Sequence, residues 1–381
     1  MAAAALVDRF PRVALIHEWL TIPGGSEQVV YEILRLLAHA ELFTSIYDPA
    51  PWPEVVRGRP VHASFLNRLP GATRRYAQLL PLMDPAFRSF DLRDFDLVIS
   101  SNHACAKNVR VPPGVPLVCY CHTPMRYAWD PAFLSGEPIG RLTRRLAPLG
   151  TAWLRHVDRK RAAGPDVFVA NSSFVADRIR AVYGRESQII HPPVDVSPLL
   201  AGERDPGDAY LVFGRLVPYK RADIAIQACE RLGRRLIVAG AGRDLDRLRR
   251  LASSSTTFLG HVPHDEVPGL FARARGLLFP GVEDFGIVPV EAQAAGLPVI
   301  AYAVGGVRDS VIDGQTGLLY EDGSVAGLCG AIRRYESMSF AERELRANAA
   351  RFGPDRFAAA FQQLLGELRP RGKLADTLRT L

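Results

Sequence analysis

The chain has 381 residues, 48% hydrophobic and 23% charged, with five cysteines and a net charge of +7. That length suggests two domains and supports a large core, and no apolar run approaches the ~20 residues of a membrane-spanning helix. The excess of base favours an anionic partner such as a nucleotide or a phospholipid surface; with no zinc finger, no RNP-type aromatic motif and no basic tail, nucleic acid is the weakest of the three.

The opening "MAAAALVDRF" lacks a basic n-region and its apolar patch is only Ala2 to Val7, so no signal peptide is read and a cytosolic location is expected. "RVALIHEW" (12–19) reads as a strand, and "GGSEQVVYEILRLLAHA" (24–40), with apolar spacing near 3.6, as a helix. "ELFTSIYD", "FDLVISSN", "PLVCYCHT", "DVFVANSS" and "QIIHPPV" follow as short apolar strands, of the kind buried on both faces in a parallel sheet. Cys119 and Cys121 share a face of one such strand, and all five cysteines read as free buried thiols, with no paired-CxxC zinc pattern. From 141 to 161, Leu142, Leu146, Leu149, Trp153 and Val157 form a stripe at helical spacing, expected to face the core, with Pro148 kinking any single helix. This stretch and "FLNRLPGATRRYAQLLPLM" (65–83) are rich in arginine and poor in acid, either as solvated faces or as contacts to anionic lipid.

A Gly/Pro/charge-rich break at 196–209 is the best linker, dividing a first domain (1–197) from a second (205–354), with a last helix over about 355–381 crossing back. Alternation then restarts: "YLVFGRL", helix "KRADIAIQACERLG", "RRLIVAG", helix "RDLDRLRRLA", "TTFLGHV", helix "HDEVPGLFARAR", "GLLFP", a helix from about Val288, "PVIAY" and "TGLLY". The expected fold is α/β: two doubly wound, Rossmann-like domains facing a cleft, with ligands at the strand C-terminal ends.

Chemistry is therefore sought just after strands. Arg215 and Lys220 follow "YLVF", and two cations there suit a diphosphate, although a solvated basic turn fits equally. In "FPGVEDFGIVPVEA" a glycine turn leads into a helix whose first turn holds Pro289, and the free N–H groups of Gly286, Ile287 and Val288 favour an anion. Glu283 in that turn and Glu291, placed in the first helical turn, fit a ligand site or, singly, a loop acid and a carboxylate helped by the helix dipole. His122 ends a strand and precedes Arg126, Tyr127, Trp129 and Asp130, which favours a functional role; His17 and Glu18 also end a strand and are read as orienting the Gly24-Gly25 loop. "AGAGRDL" (239–245) is half a dinucleotide fingerprint, but Leu245 stands where the third glycine belongs, so a tight strand–helix turn is preferred to an oxidoreductase site. Asp94-Phe-Asp96 and Asp244-Leu-Asp246 match the Asp-x-Asp of metal-dependent transferases yet read as surface acids, and no metal or other cofactor is expected to be required.

The order Arg215, Lys220, Glu283, Glu291 resembles the retaining nucleotide-sugar glycosyltransferases of family 4, whose mark is Glu-x7-Glu preceded by a "GRL…K" loop. "HEWLTIPGGSEQVV", "CYCHTPMRYAWD", "VANSSFVADRI", "HPPVD", "FGRLVPYKRAD" and "GVEDFGIVPVEAQAAGLPVIA" look most like the bacterial O-antigen-type mannosyltransferases. The resemblance implies a GT-B fold with an N-terminal acceptor domain and a C-terminal donor domain, GDP-mannose as donor, and a lipid-linked saccharide as acceptor at the inner membrane face. It implies that Arg215 and Lys220 bind the donor diphosphate, that Glu283 lies near the donor sugar, and that Glu291 bonds the ribose. The backbone of Gly260, His261 and Val262 would border the base, and the turn from Phe285 to Val288 the phosphates. Gly24 and Gly25 would close on the phosphates, and His122 would face the sugar. The motifs themselves fit any nucleoside diphosphate sugar, so a transferase using a UDP- or ADP-linked sugar is an alternative; the others are a dinucleotide-dependent oxidoreductase and a silent nucleotide-binding protein, the last opposed by the intact set of four.

Overall fold

A computed structural model describes residues 2–130, 141–200 and 202–368. Contacts divide the chain into two units, 1–193 with 355–381, and 194–354. The first unit holds β1 (Val13–His17), β2 (Glu41–Thr44), β3 (Val61–Ala63), β4 (Leu97–Asn102), β5 (Leu117–Cys121), β6 (Val167–Ala170) and β7 (Gln188–Ile189). They pair in parallel in the order β3-β2-β1-β4-β5-β6-β7. β1, β4 and β5 are buried along their whole length, which is why the sequence shows runs of apolar residues there and not alternation. The second unit holds β8 (Tyr210–Phe213), β9 (Leu236–Ala239), β10 (Thr256–Gly260), β11 (Leu277–Phe279), β12 (Val299–Tyr302) and β13 (Gly317–Tyr320), parallel in the order β10-β9-β8-β11-β12-β13. In each sheet the order reverses once, between β1 and β4 and between β8 and β11. In doubly wound sheets that reversal opens a crevice at the strand C-terminal ends.

Several elements depart from the sequence reading. Residues Ala2–Arg9 form a helix that buries Leu6 in the core of the first sheet. The three-residue edge strand β3 was not foreseen, because Val61, His62 and Ala63 stay largely exposed and carry no apolar signature. The expected linker at 196–209 starts too late: Val194, Val196 and Leu199 are buried among the second unit's side chains. The last helix runs Pro354–Glu367 and buries Phe357, Phe361, Leu364 and Leu365 against Val13, Leu15 and Val29 of the first unit. Of the helix expected over 355–381, residues 369–381 lie outside the described residues.

The helix Arg141–Arg161 continues through Pro148, and its expected core stripe is misphased. Leu149 and Trp153 are 73% and 48% exposed, whereas Asp158 is fully buried. At 100° per residue, Leu149 lies half a turn from Asp158. Asp158 accepts from Lys107 Nζ, from Trp129 Nε1 at 2.7 Å and from the Tyr183 hydroxyl at 2.8 Å. This buried acid sets the rotation of the helix and turns the apolar pair outward. The side chains of Leu142, Arg144, Arg145 and Leu146 lie outside the described residues. No helix among the described residues is long and apolar enough to cross a membrane. All five cysteines are buried and unbridged.

Candidate active site

In the second unit, β8 ends at Phe213 and delivers Gly214, Arg215 and Leu216 to the reversal point. This loop lies so close to the next strand–helix turn that a Cβ on Gly240 would stand 1.9 Å from the Gly214 oxygen, and one on Gly242 2.1 Å from that of Leu216. "AGAG" is thus a backbone platform for the Arg215 loop, secured by Leu216 N–H donating to Ala241 O at 2.9 Å. Asp244 is a correction. It is buried, heads the helix Leu245–Leu251, and accepts two bonds from the Arg247 guanidinium at 2.7 Å each, so it is no surface acid. Asp94 is exposed, and Asp96 accepts from Arg12 N–H at 2.9 Å.

Beyond the loop, a 3-10 turn (Pro218–Lys220) sets Lys220 over the end of β11. A Cβ on Gly281 would meet Lys220 Cα at 2.6 Å, so only glycine admits this approach. Lys220 Nζ stands 2.9 Å from Glu283 Oε1, with both side chains about four-fifths buried, and the approach lies off a good hydrogen-bonding direction. Burial acts to lower the Lys220 pKa, but the Glu283 carboxylate outweighs it and the net direction is upward. Arg215 is exposed and makes no ion pair or hydrogen bond among the described residues. Together Gly214, Arg215, Lys220, Gly281 and Glu283 border a small cavity of about 20 Å³.

After Glu283 the chain turns through Asp284 and Phe285 to Gly286, at φ 87°, and enters the helix Ile287–Ala294. Gly305 and Gly306 back this turn: a Cβ on Gly305 would stand 2.4 Å from the Glu283 oxygen, and Gly306 N–H donates to that oxygen at 2.9 Å. The amides of Gly286, Ile287 and Val288 have no acceptor among the described residues, as expected of a helix start. Glu291 lies just past the first helical turn, not within it, and is half-buried. Burial pushes its carboxyl above the ordinary range, against the opposing pull of His264 and Lys220. Gly260, at φ 71°, ends β10; His261 is exposed and Val262 half-buried. The structure thus brings together Arg215, Lys220, Glu283 and the start of the Glu291 helix, with His264 an electrostatic neighbour that the sequence reading missed.

The first unit has its own polar cluster at the β1/β4 reversal. Gly24 caps the helix Gly25–Leu36, whose third residue, Glu27, is buried. His17 bonds to Glu27, whereas Glu18 turns elsewhere: its Oε1 accepts the N–H groups of His103, Ala104, Cys105 and Ala106 at 2.6–3.1 Å. So only one of the two orients the segment after Gly24-Gly25. His122 follows β5 and bonds through Nε2 to Ser101 Oγ at 2.8 Å. Burial, with His103 and His17 nearby, pushes its pKa well below the ordinary value, so the ring is neutral at pH 7. Glu27, Ser101 and His103 were not singled out from sequence. The signal was present in "ISSNH", where an apolar strand turns polar at its C-terminal end.

Comparison with known proteins agrees with this architecture. Residues 23–198 match the family described as Glycosyltransferase Family 4, and residues 202–355 match Glycosyl transferases group 1. A glycogen synthase of Mycobacterium tuberculosis is 31% identical over 264 residues, 64% of this chain and 62% of that protein. A D-inositol 3-phosphate glycosyltransferase of Catenulispora acidiphila is 32% identical over 232 residues, 52% of this chain and 54% of that protein. The matches thus span less than two thirds of the length of these curated relatives. Among solved structures, Anabaena Alr3699/HepE in complex with UDP superposes with a TM-score of 0.68 at 19% identity, covering 93% of this chain and 100% of that one. The fold is GT-B. Along the chain, the region similar to Glycosyltransferase Family 4 precedes the region similar to Glycosyl transferases group 1.

Proposed function

We propose that this protein is a retaining hexosyltransferase that takes a sugar from a nucleoside diphosphate and passes it to a lipid-linked saccharide in surface polysaccharide or O-antigen synthesis. The observation that carries the donor half is the Lys220–Glu283 pair, 2.9 Å apart at the reversal point of the second sheet, beside the unpaired Arg215 and the open amides of 286–288. In this reading Arg215, Lys220 and the helix start bind the diphosphate, and Glu283 meets the sugar. Glu291 holds the ribose diol, and the Gly260–Val262 backbone borders the base. Gly24 and Gly25 close on the phosphates, and His122 faces the sugar. As the glycosidic bond breaks, negative charge builds on the leaving phosphate, and preorganised donors stabilise that charge most when water is excluded. The departing phosphate oxygen takes the acceptor proton on the same face, so retention requires no enzyme nucleophile.

GDP-mannose is our first donor, on the motif resemblance to O-antigen-type mannosyltransferases. A UDP-linked hexose is the second, because HepE was solved with UDP. For the acceptor, exposed Phe65 (46%), Leu69 (39%) and Leu82 (45%) occur in the segment that carries Arg68, Arg74 and Arg75, three exposed arginines with no acidic partner among the described residues. Apolar side chains beside unpaired base suit peripheral contact with an anionic membrane, at about 1 kcal/mol per basic residue, and hence a place at the cytoplasmic face of the inner membrane. Thermal shifts with GDP, UDP, ADP and their sugar conjugates test the donor; labelled sugar nucleotides incubated with a lipid extract test the transfer. If none of these nucleotides raises Tm, the donor assignment fails.

A further inference from the structure

The polar cluster of the first unit is a continuous chain. Glu27 Oε1 meets His17 Nε2 at 3.1 Å, His17 Nδ1 meets Ser101 Oγ at 3.0 Å, and Ser101 Oγ meets His122 Nε2 at 2.8 Å. His17 and Ser101 are 0% exposed and Glu27 4%, while His122 is half-buried, so the chain leads from a buried carboxylate to an open imidazole. The donors and acceptors can be counted link by link. A carboxylate only accepts, so His17 carries a proton on Nε2. A ring that carries that one proton has a bare Nδ1, and Ser101 must donate to it. Serine has one hydroxyl proton, so Ser101 can then only accept from His122. The His122 proton is therefore on Nε2, and its Nδ1, which has no partner among the described residues, is a bare acceptor.

We propose that Glu27, His17 and Ser101 form a positioning relay that holds His122 in the Nε2–H tautomer, so that its outward Nδ1 is a fixed acceptor for a hydroxyl group. This rests on the proposed function only for the identity of that hydroxyl, a sugar O–H. The direction of the relay depends on Glu27 being unable to donate. A glutamine there has nearly the same shape, but its amide can donate to His17 Nε2. The chain can then run backwards: His17 protonated on Nδ1, Ser101 donating to His122, and His122 presenting an N–H.

The test uses the full chain with ring-15N histidine and reads the imidazole tautomers by long-range 1H–15N correlation at pH 7.5, with His122→Gln to assign the signal. We expect His122 as a single Nε2–H tautomer in the wild type, and a mixture or reversal in both Glu27→Gln and Ser101→Ala. Unfolding curves on the same samples confirm that the variants are folded, and Ser101→Thr, which keeps the hydroxyl, should restore the wild-type pattern. A wild-type His122 protonated on Nδ1, or a tautomer unchanged in both Glu27→Gln and Ser101→Ala, would overturn the relay. No sugar is needed for this reading, so a chain that shows the relay but transfers no hexose would sink the proposed function alone.

Discussion

Replacing Glu283 by glutamine separates the nucleotide from the sugar in the donor site. Lys220 already has a partner within the chain, with the Glu283 carboxylate 2.9 Å from its ammonium. A diphosphate must take over that ammonium while lying near a carboxylate of its own sign. Each unit of diphosphate charge ~6 Å from that carboxylate costs about 3 kcal/mol at an effective dielectric near 20. Counterions and the looser hold on Lys220 in the variant offset most of that. We therefore expect GDP to bind Glu283→Gln about two- to tenfold tighter than wild type at pH 7.5. Turnover of the sugar nucleotide should move the other way. A charge-assisted hydrogen bond to the sugar is worth about 1.5–3 kcal/mol, so kcat and kcat/KM should fall together by about 10- to 150-fold, the pattern of an interaction made mainly in the transition state.

The pH dependence of the same variant gives a second sign. In the wild type, burial lowers the Lys220 pKa but Glu283 more than reverses it, so the ammonium persists above its ordinary range. Without Glu283, burial acts unopposed by that carboxylate, and the pKa falls. Diphosphate binding needs the charged form, so affinity should be lost at lower pH in the variant. The ligand's own titration cancels in the ratio of variant to wild type. Calorimetry with GDP between pH 7 and 10, beside steady-state kinetics, decides the matter. GDP binding weakened more than about threefold at pH 7.5 would show that Glu283 serves the nucleotide, and the reasoning would fail.

Glu291→Gln should do the opposite: weaker GDP and a higher donor KM, with kcat little changed, by the same kinetics. Arg215→Ala and Lys220→Ala should each weaken GDP by about 1.5–3 kcal/mol and leave guanosine binding unchanged; equal losses for both ligands in calorimetry would indicate general unfolding instead. Gly281→Ala, whose Cβ would stand 2.6 Å from Lys220 Cα, should cost about 1–3 kcal/mol of stability, as for other overpacked sites, lowering Tm and weakening GDP in calorimetry together. Arg68, Arg74 and Arg75 all changed to Glu should release the protein from anionic vesicles in flotation; unchanged flotation would make them a merely solvated face. Lys107→Met leaves Asp158 buried without its cation and should cost about 3–5 kcal/mol in denaturant unfolding.

How far the sequence reached follows from what parallel sheets do to a chain. A strand buried on both faces announces itself as an apolar run, so β1, β4, β5 and, in the second unit, β8, β9, β11, β12 and β13 were legible. The short, exposed β3 and the packed helix at Ala2–Arg9 were not. Polar residues just after such runs were also legible, hence Arg215, Lys220, Glu283 and His122. What sequence order cannot show is which strand lies beside which, and that determines the partners. β1 neighbours β4, so His17 meets Ser101 across 84 positions. β8 neighbours β11, so Lys220 meets Glu283. The misphased helix fails for the same reason. Its Leu149 and Trp153 have the spacing of a core stripe, but the buried Asp158, held by the remote Lys107, Trp129 and Tyr183, sets its rotation. Glycines were ambiguous until their neighbours were known: "AGAG" resembles a phosphate-binding fingerprint, yet its glycines are needed because the Gly214–Leu216 backbone passes within van der Waals contact. In both sheets, then, polar residues gather just after the strands, and the reversal of strand order brings the remote pairs together.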